Sequence, residues 1–356
     1  GLMAPAGAGG EGDDPVPDLG RDAGVDHRLP HAVVQKRPLG AVAAKAALGG
    51  EYLLVGVRAE MESAARARSI DLSAFELRDA GSVIGMEDDP MCVLHAKKDS
   101  SMAVALRALR DGEGDAVVST GNTGALFTGA SLIVRRMQGI HRAAIATVLA
   151  FEKPTLLMDS GANVTVQPDF LPQFAVMGSA YMKGLFGIEM PRVGLLNNGT
   201  EACKGTPMQT EAYRLLSGMP GIRFVGNVEP NALPFDVCDV AVTDGFTGNI
   251  CLKAYEGVSK FILRGLKDIF MTSALTKLSA LGVKKPLARF RKKVDTAEYG
   301  GSPILGLCKP VIKAHGSSDA RAFANAIRQA TRLCESGVLD GLEAEIAAGA
   351  GTGGEG

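Results

Sequence analysis

Short apolar runs of strand length, most of them closing on a polar, glycine-bearing loop, constrain the fold of this chain more than any other feature. They fall at 52–55, 116–118, 144–149, 155–158, 193–196, 222–225 and 240–242. Between them lie segments with helical spacing: an alanine-rich stretch from Ala41 to the Gly49-Gly50 pair, then 59–68, 171–185 and 210–216. Strand alternating with helix predicts βαβ units, hence a largely parallel, twisted sheet with helices on both faces. Sheets of this kind hold ligands outside the carboxyl ends of their strands.

The polar residues gather where those runs stop. The run at 116–118 breaks into Ser119-Thr120-Gly121-Asn122-Thr123-Gly124 before an apolar helix-like stretch. A loop that leads into a helix in this way points unpaired backbone N–H groups outward and suits an anion such as phosphate, although a plain capped turn has the same composition. Further on come Asp159-Ser160-Gly161-Ala162-Asn163, Asn197-Asn198-Gly199 leading to Lys204-Gly205, Gly226-Asn227, and Asp244-Gly245-Phe246-Thr247-Gly248-Asn249. Each is a turn by default. Five on one rim of a sheet are expected to form a site. Near the end, His315 stands in the loop Ala314-His315-Gly316-Ser317-Ser318-Asp319, ahead of a helix with Phe323, Ile327, Ala330 and Cys334 on one face. Ser317 or Ser318 is expected to cap that helix, with Asp319 in its first turn.

A formal net charge of −1 gives no global attraction for nucleic acid. The six cysteines show no C-x-x-C spacing, and no cluster of metal ligands or cofactor motif is evident, so a reduced cytosolic protein without metal is expected. No transmembrane stretch or signal peptide is expected either. Gly7, Gly9 and Gly12 fit G-x-G-x-x-G, but no strand precedes them, so they carry no dinucleotide signal. The organisation expected is a disordered or atypical lead-in over 1–30, one α/β domain over 31–345 and a disordered tail over 346–356.

The charge is not evenly spread. Residues 258–293 hold ten lysines and arginines against one acid, Asp268. Helical spacing places Val258, Phe261, Ile262, Leu266 and Ile269 on one side, with Lys260, Arg264 and Lys267 opposite. This basic amphipathic insertion is either a pair of surface helices, a dimer contact or an interfacial element for anionic lipid. An acidic protein partner fits the same charges.

Read together, the segments STGNTGA, DSGANV, QFAVMGSAYM, PRVGLLNNG, FVGNVE, VTDGFTGNICLK, EYGGSPILG and IKAHGSSDARAFANAIRQA closely resemble the bacterial phosphate acyltransferases of the PlsX family, from about Pro30 to Leu342. The resemblance implies a Rossmann-like αβα sandwich related to phosphotransacetylases and isocitrate-dehydrogenase-like folds. It implies a homodimeric cytoplasmic enzyme, peripherally associated with the membrane, that makes acyl phosphate from long-chain acyl-acyl carrier protein and inorganic phosphate. Its product would pass to a membrane glycerol-3-phosphate acyltransferase in phospholipid synthesis. The family opens on a strand followed by D-A-M-G-G-D and a proline. Here Gly24-Val25-Asp26-His27-Arg28-Leu29 precedes Pro30, so the paired glycines and the strand before them are missing there.

The chemistry demands little of the side chains. Phosphate with a second pKa of about 6 is already largely dianionic near neutral pH. A thiol of pKa about 8.5 leaves as thiolate without a strong acid. Direct attack of bound phosphate on the thioester is therefore expected, by proximity and by donors to the oxyanion. Asn122, Lys204, His315 and Asn163 are the expected catalytic group. Ser119, Gly121, Thr123, Gly124, Ser317 and Ser318 are expected to cradle phosphate, while Asp159 and Asp244 orient neighbouring donors. Alternatives are a short-chain phosphotransacetylase, a nicotinamide dehydrogenase, and a non-catalytic homologue that binds acyl carrier protein or membrane.

Overall fold

The structure, a computed structural model, describes residues 32–35, 38–293, 299–315 and 319–350. Its first half contains β1 (Ala32–Gln35), α1 (Pro38–Leu48), β2 (Tyr52–Gly56), α2 (Arg58–Arg66), β3 (Glu76–Asp79), α3 (Ser101–Arg110), β4 (Ala116–Ser119) and α4 (Thr123–Gly129). The second half continues with β5 (Ala144–Leu149), β6 (Thr155–Met158), α5 (Phe170–Phe186), β7 (Arg192–Leu196), α6 (Pro207–Ser217), β8 (Arg223–Val228) and β9 (Val240–Val242). After β9 come α7 (Gly245–Met271), α8 (Ala274–Lys293), β10 (Ser302–Leu305), β11 (Val311–Lys313), α9 (Ala320–Glu335) and α10 (Val338–Ala350).

The strands form one sheet in the order β3-β2-β1-β4-β11-β10-β5-β6-β9-β7-β8. The outer pairings are parallel, but β10 runs against both β11 and β5, and β5 runs against β6. The reversals have a simple cause. Only residues 150–154 join β5 to β6, and only 306–310 join β10 to β11. Five residues close a hairpin, whereas a parallel return needs a dozen or more.

The expectation of a mostly parallel α/β sheet is met, and that of a single functional rim is not. Strands β4 and β11 point one way; β6, β7, β8 and β9 point the other. Loops after β4 and β11 therefore lie on one rim, and those after β6, β7 and β9 on the opposite rim. Three smaller corrections follow. The residues Gly226 and Asn227 lie inside β8, where Gly226 takes a φ of +91° beside a register shift, and are not a loop beyond it. Helix α9 is capped by Asp319, which accepts from the Ala322 N–H at 2.8 Å; the expected caps Ser317 and Ser318 lie outside the described residues. Helix α10 continues to Ala350, through the first part of the expected tail. The slot between β2 and β4 is filled by β1, just after Pro30 rather than before it.

One face of the sheet carries a continuous core of Leu54, Val118, Ile312, Ala146, Met158, Val242 and Leu195, covered by Phe174, Tyr181, Phe323 and Ile327. The other face carries two separate cores. Val55, Val117, Leu126, Ile145, Ile304 and Val311 make the first; Leu149, Leu157, Leu196, Ala241 and Cys251 make the second. Between those two cores the sheet face is polar.

Candidate functional site

Side chains alternate across a strand, so register and burial fix which residues floor that polar gap. On β4 and β11, Ser119 and Lys313 follow Val117 and Val311 on the same face and are cross-strand partners. Lys313 pairs in turn with Ser302 of β10. Along β5, Ile145 belongs to the first core and Leu149 to the second, with Thr147 between them. The Thr147 hydroxyl lies 2.8 Å from the Ser302 hydroxyl and 2.7 Å from the Ser160 hydroxyl. Four neighbouring strands thus present the row Ser119, Lys313, Ser302, Thr147, and Ser160 extends it from the loop after β6.

Helix starts wall the gap at both ends. At one end, Asn122 caps α4: its Oδ1 accepts from the Ala125 N–H at 3.0 Å. Its Nδ2 donates to the carbonyls of Gly85, Met86 and Asp88 at 3.1, 3.0 and 3.3 Å, which ties the 85–88 turn to the helix start. The Gly121 N–H turns inward to Ser119 Oγ at 3.2 Å. Among the described residues, the Thr123 and Gly124 amides meet no acceptor. Ala314 N–H donates to the Ser119 carbonyl at 2.9 Å, so the exposed His315 follows directly beside this turn.

At the other end, the buried Asp159 carboxylate organises the turn after β6. Its Oδ1 accepts from the amides of Gly161, Ala162 and Ile145 at 3.0, 2.9 and 3.2 Å. Its Oδ2 accepts from the Asn163 backbone N–H at 2.6 Å and from Asn163 Nδ2 at 2.8 Å. Burial pushes this carboxyl upward and the N–H bonds pull against that shift. Asp244 caps α7, accepting from the Thr247 amide and hydroxyl at 2.8 and 2.7 Å. The α7 start is locked onto the Asp159 turn by Gly245 N–H donating to the Asn163 carbonyl at 2.7 Å, and by Asn249 Nδ2 donating to the Ser160 carbonyl at 3.0 Å.

Several expected roles change in consequence. The Asn122 side chain is spent on its cap and on three carbonyls, so it offers no donor to a substrate. Asn163 gives both amide hydrogens away, to the Ala143 carbonyl at 2.8 Å and to Asp159, and it too is a scaffold residue. Asp159 and Asp244 accept from the N–H and hydroxyl groups of their own turns. Lys204 stands in the exposed loop after β7, on the opposite rim from Asn122 and six strand spacings from β4, so the two do not meet. At about 4.8 Å per spacing that is roughly 29 Å. Lys204 lies only two spacings from β6, nearer the Ser160 end of the floor. Reading the loops alone missed Lys313, Ser302 and Thr147, and gave Asn249 a place in a loop but no role. The signal for Lys313 was the Val-Ile-Lys pattern, which carries a lysine onto the face buried at Val311.

The Lys313 Nζ donates to its neighbour's carbonyl, Ala314 O, at 2.6 Å, and burial pulls its pKa down to about 8. No group of His, Cys, Asp and Glu among the described residues could hold a metal ion.

A family model described as "Fatty acid synthesis protein" matches residues 21–340. A phosphate acyltransferase from Acetivibrio thermocellus is 42% identical over 299 residues, covering 84% of this chain and 88% of that protein. One from Brevibacillus brevis is 45% identical over 274 residues, covering 76% and 82%. Among solved structures, a phosphotransacetylase from Streptococcus pyogenes superposes with a TM-score of 0.60 at 15% identity, covering 86% of this chain and 94% of that one. The EutD phosphotransacetylase from Staphylococcus aureus gives 0.53 at 15% identity, covering 85% and 94%. At that identity the likeness speaks for the fold alone.

Proposed function

The chain belongs to the phosphate acyltransferase family of fatty acid and phospholipid synthesis, and from that premise we propose that it converts a long-chain acyl-acyl carrier protein and inorganic phosphate to acyl phosphate and free carrier protein in the gap between its two smaller cores. The observation that carries this reading is the polar floor between the two smaller cores, where the Lys313 ammonium and the amides of the α4 start face the gap and offer donors for an oxyanion. Phosphate is the nucleophile. It binds over the Ser119 end, against the open amides of Thr123 and Gly124, with His315 beside it. Ser317 and Ser318 are proposed to complete that cradle from the same loop. The thioester carbonyl lies toward Ser160 and Asn249, with the Lys204 loop on that same rim two strand spacings away.

In the transition state negative charge moves from phosphate to the carbonyl oxygen and then to the departing thiolate. Fixed donors on a half-buried floor stabilise that charge without reorganising. Holding phosphate and ester side by side removes most of the entropic barrier. The test is incubation with palmitoyl-acyl carrier protein and inorganic phosphate, measuring acyl phosphate and free carrier thiol. Absence of both products would overturn the reading. A preference for acetyl-CoA over the long-chain donor would reassign the chain to short-chain phosphotransacetylase chemistry.

The helical hairpin of α7 and α8 supports a second part of the proposal: peripheral contact with an anionic membrane, as a homodimer that serves a membrane glycerol-3-phosphate acyltransferase. Phe261, Ile269, Leu275 and Leu278 are 78%, 61%, 74% and 65% exposed there, among the basic residues noted above. Among the described residues no helix is long and apolar enough to cross a membrane. Apolar groups that bed into the interface, with lysines toward anionic headgroups, suit a lipid surface. Sedimentation with anionic liposomes should fall on adding salt and on charge reversal of Lys284, Lys285, Arg291 and Lys292. Unchanged sedimentation would remove this part.

A further inference from the structure

The lysine in the floor has a feature that the fold alone does not require. Lys313 is half-buried near the middle of an eleven-stranded sheet, between Ser119 on one neighbouring strand and Ser302 on the other. Among the described residues its one protein acceptor is the Ala314 carbonyl, a neutral group of the adjoining backbone. Among the described residues no carboxylate lies within ion-pair distance of its Nζ. A cation drawn out of water without a counter-charge is costly, and a purely structural position would be filled more favourably by an apolar residue. Around it the polar groups are graded. Ser302, Thr147 and Ser160 form a linked chain of hydroxyls that ends on the Ile145 carbonyl, 3.1 Å from Ser160 Oγ. In the row Ser119, Lys313, Ser302, Thr147 and Ser160 the ammonium is the one full charge.

We propose that the Lys313 ammonium is the fixed counter-charge for the phosphate substrate, so that phosphate completes an ion pair for which the empty fold supplies only one half. An ammonium has three donors, and Ala314 takes one. The other two are available to phosphate oxygens. The lysine holds phosphate against the Ser119 turn, and the hydroxyl chain faces the ester beside it. The proposal rests on the acyl phosphate reading for the identity of the anion, and on the Lys313 geometry for the residue that binds it.

The experiment uses the full chain and its Lys313→Met and Lys313→Arg variants, with inorganic phosphate as the probe. Calorimetric affinity for phosphate should fall about tenfold to a hundredfold in Lys313→Met, the range expected for loss of a charge-assisted hydrogen bond. Lys313→Arg should recover part of the affinity. Without phosphate, Lys313→Met should melt no lower than the parent, because methionine fills the stem and removes a buried charge; its melting temperature should no longer rise on adding phosphate. In turnover assays the phosphate KM should rise while the KM for acyl carrier protein moves by less than about twofold. Phosphate affinity within about twofold of the parent in Lys313→Met would overturn the proposal. If that variant does not fold, the same limit applies to Lys313→Gln. Lys313-dependent phosphate binding in a protein that forms no acyl phosphate would overturn the proposed reaction and leave the binding role standing.

Discussion

Asn122 offers a sharp test of whether the phosphate turn is built as described, because its two jobs can be removed one at a time. Its oxygen caps α4, and its amide nitrogen holds the 85–88 turn through three carbonyls. Serine is as good a cap as asparagine, so Asn122→Ser keeps the first job and loses the second. An amide nitrogen has two hydrogens, so three acceptors at 3.0 to 3.3 Å share two bonds' worth of energy. At about 1 kcal/mol net for each neutral bond, Asn122→Ser should cost about 2 kcal/mol. Alanine also removes the cap, which adds about 1 kcal/mol, so Asn122→Ala should cost about 3 kcal/mol. Urea unfolding gives the two values from shifted midpoints at unchanged slope. Hydrogen exchange should quicken at residues 85–88 in both variants, and at Ala125 mainly in the alanine variant. Equal stabilities for serine and alanine, or unaltered exchange at 85–88, would refute the division of labour and reopen Asn122 as a ligand-facing donor.

Other consequences are open to the same measurements. Asp159→Asn sets an NH2 group against two or three N–H donors and should cost about 3 to 5 kcal/mol by urea unfolding; a loss below about 1 kcal/mol would show that the carboxylate does not hold the turn. Gly248→Ala should lower the melting temperature sharply, because the new Cβ would stand 1.9 Å from the Asp159 carbonyl oxygen; a parent-like melt would mean that α7 can shift freely. The last concerns acid stability. Arg192 binds the carboxylate of Asp239 at 2.9 and 3.0 Å and also Asp236, while Lys153 reaches Asp236 at 2.8 Å. Burial pushes Asp239 up, but the Arg192 bonds outweigh it; Lys153 first and Arg192 next hold Asp236 down. Depressed carboxyls give stability that is present above their unfolded pKa, about 3.9, and lost as pH falls through the folded values. Arg192→Gln should therefore cost about 3 kcal/mol near neutral pH, with the gap to the parent closing below about pH 4. A gap that stays constant down to pH 3 would refute the assignment.

The strands at 144–149, 155–158 and 240–242 were legible to the residue, because each is a β-length apolar run buried on both faces. Strand β3, Glu-Leu-Arg-Asp, was not: it lies on the sheet edge, where one buried face suffices and composition stays polar. Strand β10 hid behind Pro303. Strand direction was the costlier miss, since hydrophobic pattern carries no sign. The five-residue spacings after β5 and β10 did carry it, and would have placed the Asp159 and Asn122 turns on opposite rims. The loop residues were picked out correctly as a group, yet their individual roles depended on contacts across long sequence gaps. Asn122 reaches back 37 residues to Gly85, and Thr147 bonds Ser302 across 155. No local spacing encodes such partners.

The order in which the sheet is threaded also bears on how the molecule is made. Strands β10 and β11 arrive late in the chain, yet they are wedged between β4 and β5, which were synthesised long before. On the ribosome, each half of the sheet faces an unfilled seam until residues beyond 313 have emerged, and both edges of that seam expose backbone groups ready to pair. A nascent chain that stops before residue 313 has lost a middle plank rather than an end, so the polar floor stays incomplete until β11 has been made.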